Sequence, residues 1–155
     1  MDPGRGQANG RPDSGCRQYR EDLAAAADQV GPAAPELDKL RLYYNHPGFV
    51  TPMVDQTVRA LQGLAPEARE KAHLVFTTHS IPCSWAETAG PDGGAYVAQH
   101  LETAELVVAG VRARTGVAHR WDLVYQSRSG PPSQPWLEPD VNDQLRALSE
   151  RGEQA

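Results

Sequence analysis

Cysteine is scarce in this 155-residue sequence, and positive charge is not in excess. The two cysteines, Cys16 and Cys83, form neither a CxxC pair nor a disulfide framework. We therefore expect two reduced thiols in a cytoplasmic protein. Lys and Arg number 15 against 20 Asp and Glu, which gives a formal net charge of −5. This balance disfavours nucleic acid or an anionic membrane as the main partner, because both require a concentrated basic face.

Long apolar runs are absent as well. No stretch approaches the roughly 18 apolar residues that a membrane-spanning helix needs, so we expect no membrane span. Residues 1–13 consist mainly of Gly, Pro, Arg and Asp and lack the apolar core of a secretory signal. Such a segment cannot bury enough apolar surface to fold, and we expect a disordered tail there.

Helical and extended patterns alternate along the rest of the chain. The patterns predict helices over residues 16–30, 47–64, 95–115 and 139–151, and strands over residues 37–45, 73–78 and 121–127. This alternation predicts an α/β architecture with parallel sheets flanked by helices. The apolar run from Leu74 to Phe76 suits a strand that is covered on both faces.

The two longer central helices each have an apolar stripe at helical spacing. We expect these stripes to face the core; they comprise Val50, Val54, Val58 and Leu61 in one helix, and Val97, Leu101, Ala104, Val108 and Val111 in the other. Gly116 follows the second stripe and predicts the end of its helix.

His79 directly follows the second predicted strand, and Pro82 comes three residues later and would stop that strand. Ligands of open parallel sheets bind beyond the carboxyl ends of the strands, and Gln126 and Ser127 end the next strand. If the two strands are neighbours, both ends open on one crevice. A histidine there can act as a base or as a neutral metal ligand. The alternative is a histidine that only caps the strand by hydrogen bonding.

The remaining candidate residues carry weaker signals. The other four histidines are scattered without zinc-site spacing, and His100 is expected at the surface or at the edge of the apolar stripe. No GxSxG motif supports hydrolase chemistry. Trp136 lies in a proline-rich loop after the third strand. Its indole could line the pocket of a flat ligand or could simply pin the loop.

Four motifs together resemble the ferrochelatase family, whose members insert ferrous iron into a porphyrin. They are SGCRQYRE, YYNHPGFV, TTHSIP and YQSRSGPPSQPWLEPD, and they occur in the family's order over residues 14–151. The resemblance is greatest to the actinobacterial type, which acts on coproporphyrin III. It implies a chelatase-like architecture of two α/β lobes that clasp the porphyrin, and a role in haem biosynthesis.

The resemblance also implies roles for three residues. His79 matches the family's histidine that faces the porphyrin centre and binds iron or accepts protons. Tyr19 and Trp136 match aromatic residues of the porphyrin pocket. Ferrous iron and a porphyrin, either coproporphyrin III or protoporphyrin IX, are the implied substrates. Because only two cysteines occur, we expect no iron–sulfur cluster of the kind that some relatives carry.

The sequence departs from the family pattern in its extent. The resemblance implies that residues 14–71 are the end of the first lobe and residues 72–155 the beginning of the second. The family's second metal-facing residue, a glutamate, would lie on a strand after the last helix predicted here. We therefore expect this chain by itself to be inactive, and to bind a porphyrin or metal at most.

Overall fold

The computed structural model describes residues 15–38, 40–131 and 133–153, with side chains from Tyr19 onward. The chain divides into two compact units, Met1–Leu40 and Arg41–Ala155. The predicted disordered tail, residues 1–13, lies outside the described residues.

The first unit contains helix α1, Gly15–Val30, followed by a short 3-10 turn, Gly31–Ala33. Gly31 has a φ of 68°, which an L side chain rarely adopts, and Pro32 cannot donate the hydrogen bond that would extend the helix. The prediction of a helix that ends at this Gly–Pro pair is confirmed.

The strand predicted over residues 37–45 is wrong, because no described residue of this segment is in a strand. An extended segment becomes a strand only when a neighbour completes its ladder of hydrogen bonds. Here a long helix, Ala95–Thr115, holds the end of the segment through side chains instead. The Thr103 hydroxyl donates to the Tyr44 carbonyl at 3.0 Å, and the Asn45 amide donates to Glu102 at 2.7 Å.

The second unit contains five helices and two strands among its described residues. In chain order these are α2 (Pro47–Gln62), α3 (Pro66–Lys71), β1 (Leu74–His79), α4 (Cys83–Glu87), α5 (Ala95–Thr115), β2 (Trp121–Gln126) and α6 (Val141–Glu150). The patterns predicted α2, α5 and α6 but missed the short helices α3 and α4. His46 caps α2 by accepting from the Gly48 amide, and Asp140 caps α6 in the same way.

Strands β1 and β2 form a parallel pair in direct register, from Leu74 opposite Trp121 to His79 opposite Gln126. Helix α5 makes the connection between them. Parallel strands need such a crossover because the carboxyl end of the first strand and the amino end of the second lie at opposite edges of the sheet. The α/β class, with a parallel sheet flanked by helices, is confirmed.

The core of the second unit lies where α2 and α5 pack against each other and against β1. Its buried members are Val54, Leu61, Ala72, Val107 and Val111, and partly buried Val50, Met53, Val58, Leu74 and Phe76 pack around them. The stripe predicted on α2 is confirmed. The stripe predicted on α5 is wrong at Leu101, which is 37% exposed, whereas Val107 is fully buried. No helix among the described residues is long and apolar enough to cross a membrane.

Candidate functional site

His79 lies at the carboxyl end of β1, with Gln126 beside it at the end of β2. The chain leaves β1 along its neighbour, because the Ser80 amide donates to the Gln126 carbonyl at 2.7 Å. His79 itself is exposed, while Ser80 is only 2% exposed. The two predicted strand ends therefore lie side by side, and the imidazole is open to a ligand.

The proline-rich loop after β2 runs against the loop after β1. The buried Ser80 hydroxyl donates to the Leu137 carbonyl at 2.9 Å, and the Leu137 amide donates to the Ile81 carbonyl at 3.0 Å. Pro82 and Trp136 face each other as an antiparallel bridge between these loops. The chain thus pairs with β2 as far as His79, and at Ile81 and Pro82 it pairs with the loop that carries Trp136.

Trp136 is half-buried within this loop pair, and its indole lies against Gly130. A larger residue there would force a shift, because a Cβ atom at residue 130 would lie 2.8 Å from Cε2 of the indole. The indole Nε1 is buried and has no hydrogen-bond partner among the residues that the structure describes. The indole of Trp136 therefore packs within its own loop, and this loop lies beside the strand end that carries His79.

Helix α5 contacts the end of β1 through two side chains that share one face of its first turns. The Tyr96 hydroxyl donates to the His79 carbonyl at 2.7 Å. His100 Nε2 lies 2.9 Å from the Thr78 hydroxyl, and His100 Nδ1 lies 2.7 Å from the Tyr96 carbonyl. His100 was expected at the surface or at the edge of the apolar stripe, and it is half-buried in this network. The spacing of Tyr96 and His100, four residues apart on one helix, was the available signal.

Tyr125 lies opposite Thr78 in the sheet and is 5% exposed. Burial raises the pKa of Tyr125 above its ordinary value of 10.0, and the nearby Tyr96 hydroxyl adds to the rise. The phenol therefore stays neutral at any physiological pH.

Tyr19 lies on α1 in the first unit and is 73% exposed. The second unit contains both His79 and Trp136, and it brings their loops together. Among the described residues, no group of three or more His, Cys, Asp or Glu side chains could together hold a metal ion. His79 therefore offers a single imidazole, which can accept a proton or donate one ligand to a metal.

The sequence signature of the ferrochelatase family matches residues 11–155. The coproporphyrin III ferrochelatase of Streptomyces coelicolor is 57% identical over 147 residues, and that of Streptomyces griseus is 56% identical over 147. Each match covers 90% of this chain and 39% of the relative. The corresponding protein of Frankia alni is 57% identical over 141 residues, which are 90% of this chain and 36% of the relative. The chain thus spans about two fifths of the length of these curated relatives.

Proposed function

Because the chain belongs to the ferrochelatase family, we propose that it carries the metal-facing side of a porphyrin site at which ferrous iron is inserted during haem biosynthesis. The observation that carries the proposal is the exposed imidazole of His79 at the carboxyl end of β1, beside the end of β2. Coproporphyrin III is the proposed porphyrin, since the relatives from Streptomyces and Frankia are named for it.

The reaction exchanges two protons for one metal ion. A free-base porphyrin loses its two pyrrole N–H protons as ferrous iron binds the four nitrogens, so two protons must be accepted for each iron inserted. A neutral imidazole has one lone pair, with which His79 either accepts such a proton or binds the arriving iron. Both roles need the ring to face the porphyrin centre, and both are lost when the imidazole is removed.

Tyr19 and Trp136 are the proposed porphyrin contacts. A planar macrocycle favours aromatic and apolar walls with a few placed polar groups. Two findings support a porphyrin contact by Trp136. Its loop is hydrogen-bonded to the loop that follows His79, and its indole packs against Gly130. Support for Tyr19 comes from its exposure, which leaves its ring accessible.

The extent of the lobes is a proposal about the whole protein. We assign residues 14–71 to the end of a first α/β lobe and residues 72–155 to the beginning of a second. The second assignment is supported by the β1–α5–β2 crossover, which is a complete parallel unit of an α/β fold. The substrates are ferrous iron and the porphyrin, in a cytoplasmic reaction, and no iron–sulfur cluster is part of the proposal.

A second candidate function is binding of a porphyrin or metal ion without turnover. It is favoured by the single metal-facing side chain, because the described residues group no three metal-binding side chains together. The two functions differ in one observable. An enzyme converts free-base coproporphyrin III into its iron complex, whereas a binding protein only changes the porphyrin's fluorescence in proportion to occupancy.

The test compares the 155-residue chain with a full-length frame. The full-length frame is the Streptomyces coelicolor relative in which this chain replaces the matched segment. Coproporphyrin III is bound first under anaerobic conditions, and the further loss of porphyrin fluorescence after addition of Fe²⁺ measures insertion. We expect insertion by the full-length frame, and porphyrin binding without insertion by the chain alone. A full-length frame that binds coproporphyrin III but inserts no iron would support the second candidate function.

Porphyrin titrations of the full-length frame test the two aromatic contacts. We expect Tyr19→Ala and Trp136→Ala each to weaken coproporphyrin III binding, because each removes an aromatic wall. Tyr43→Ala is a matched control, since Tyr43 is 67% exposed and has no proposed role. Affinities equal to that of the parent in both variants would reduce Tyr19 and Trp136 to packing residues.

A further inference from the structure

We infer that Thr78, Tyr96 and His100 are positioning residues that hold the backbone of His79 in one orientation, an inference that rests on the proposed function. Three contacts carry it. The Tyr96 hydroxyl lies 2.7 Å from the His79 carbonyl, the Thr78 hydroxyl lies 2.9 Å from His100 Nε2, and His100 Nδ1 lies 2.7 Å from the Tyr96 carbonyl.

The peptide group that joins His79 to Ser80 is held at both of its polar atoms. Its carbonyl oxygen accepts from the Tyr96 hydroxyl at 2.7 Å. Its N–H donates to the Gln126 carbonyl at 2.7 Å. With both atoms bonded, the peptide plane cannot rotate without loss of a hydrogen bond, and this plane sets the ψ angle of His79. The Cα–Cβ bond of His79, from which the imidazole extends, is thus held between α5 and β2.

The hydrogen bonds of the network are directional. A carbonyl oxygen can only accept, so the proton in the His100–Tyr96 contact lies on Nδ1. In the tautomer with its proton on Nδ1, the lone pair is on Nε2, and the Thr78 hydroxyl donates to it at 2.9 Å. The Tyr96 hydroxyl donates its single hydrogen bond to the His79 carbonyl at 2.7 Å. Its oxygen lies farther from the Thr78 hydroxyl oxygen, at 3.3 Å. Every donor in the network therefore has one acceptor.

The network joins residues that are adjacent in space but distant in the chain. Tyr96 and His100 lie one turn apart in the first two turns of α5, and their ring centroids are 4.5 Å apart. Thr78 and His79 are the last two residues of β1. A displacement of the first turns of α5 thus moves the carbonyl of His79. Misplacement of a catalytic group by about 1 Å can lower a rate about 100-fold, so small shifts here are consequential.

The test measures kcat and KM in the full-length frame with coproporphyrin III and Fe²⁺. Tyr96→Phe keeps the aromatic ring but removes the hydroxyl that donates to the His79 carbonyl. Thr78→Val keeps the shape of the side chain but removes its hydroxyl. We expect each to lower kcat about tenfold and to leave KM for the porphyrin within about twofold, because orientation rather than binding is lost. Thr78→Ser retains the hydroxyl, so its kcat should equal that of the parent.

Thr77→Val is the matched control, because Thr77 is the adjacent threonine of β1 and points to the opposite side of the strand. We expect its kcat to equal that of the parent. A second readout is amide exchange of Ser80, which should accelerate in Tyr96→Phe and stay unchanged in Thr77→Val.

Parent-like kcat and Ser80 exchange in both Tyr96→Phe and Thr78→Val would overturn the inference. His79→Ala separates this failure from failure of the proposed function. If His79→Ala is inactive while the positioning variants are parent-like, only the positioning role fails. If His79→Ala inserts iron like the parent, the proposed role of His79 fails, and the inference fails with it.

Discussion

At the scale of single residues, the close approach of Gly130 to Trp136 sets the position of the indole. A Cβ atom at residue 130 would overlap the benzene ring of Trp136 and lie 2.9 Å from Nε1. We predict that Gly130→Ala destabilises the chain by about 1–3 kcal/mol, as overpacking does, and displaces the indole. In the full-length frame, the same change should weaken coproporphyrin III binding.

Denaturant unfolding and porphyrin fluorescence titration check this prediction. Ser129→Ala is the matched control, because Ser129 is the exposed neighbour in the same loop and its change should leave both quantities unaltered. Unaltered stability in Gly130→Ala would show that the loop gives way without cost, and that the indole is not fixed by this contact.

At the scale of elements, α2 and α5 approach closely at Gly110. A Cβ atom there would lie 2.6 Å from Val54 Cγ2. Alanine would favour the helix by about 1 kcal/mol over glycine, but the clash opposes this gain. We predict a net destabilisation of about 1–3 kcal/mol for Gly110→Ala, measured by denaturant unfolding.

A double-mutant cycle isolates the helix contact. Val54→Ala shortens the opposing side chain, so Gly110→Ala should cost less in the Val54→Ala background than in the parent. Equal costs in the two backgrounds would contradict the account of a tight helix crossing. Ala109→Gly provides a control for helix propensity alone, because Ala109 is exposed on α5 and its change should cost about 1 kcal/mol.

At the scale of the whole molecule, Glu153 ties the end of the described chain to the amino ends of both strands. Its carboxylate lies 3.1 Å from His73 Nδ1 and 2.9 Å from Arg120, and it accepts from Arg151 at 3.0 Å. Hydrogen bonds from Arg151 and then His73, with the charges of Arg120 and Arg151, hold the pKa of Glu153 below its ordinary value of 4.5.

The lowered pKa has a defined consequence for stability. A carboxylate whose pKa is depressed by folding contributes stability above its unfolded value, and this contribution is lost as pH falls through the folded pKa. We predict that acid destabilises Glu153→Gln less than the parent. Its free energy of unfolding should fall less as the pH drops below 4.5. Thermal unfolding between pH 3 and pH 7 measures this, with exposed Glu150→Gln as the control. Identical acid profiles of Glu153→Gln and the parent would contradict the prediction.

Much of this fold could be predicted because its signals are local. Gly116 ends α5 with a φ of 75°, and the apolar run before His79 marks a strand with a polar end. The strand predicted over residues 37–45 was wrong because the prediction used only the local preference of these residues for extended structure. That preference does not show whether a neighbouring strand is present to pair with them. The half-buried position of His100 agrees with the boundary that its place beside the apolar stripe predicted, but its contact with Thr78, 22 residues away, could not be predicted from the helical period.

The central claim is that the imidazole of His79 takes part in iron insertion. Single-turnover insertion of Fe²⁺ into coproporphyrin III, in the full-length frame with His79 or with His79→Ala, tests it most directly. Porphyrin affinity is measured in parallel to confirm that the site remains formed. The account predicts that His79→Ala binds coproporphyrin III but loses iron insertion. Insertion at the parent's rate by His79→Ala would contradict it.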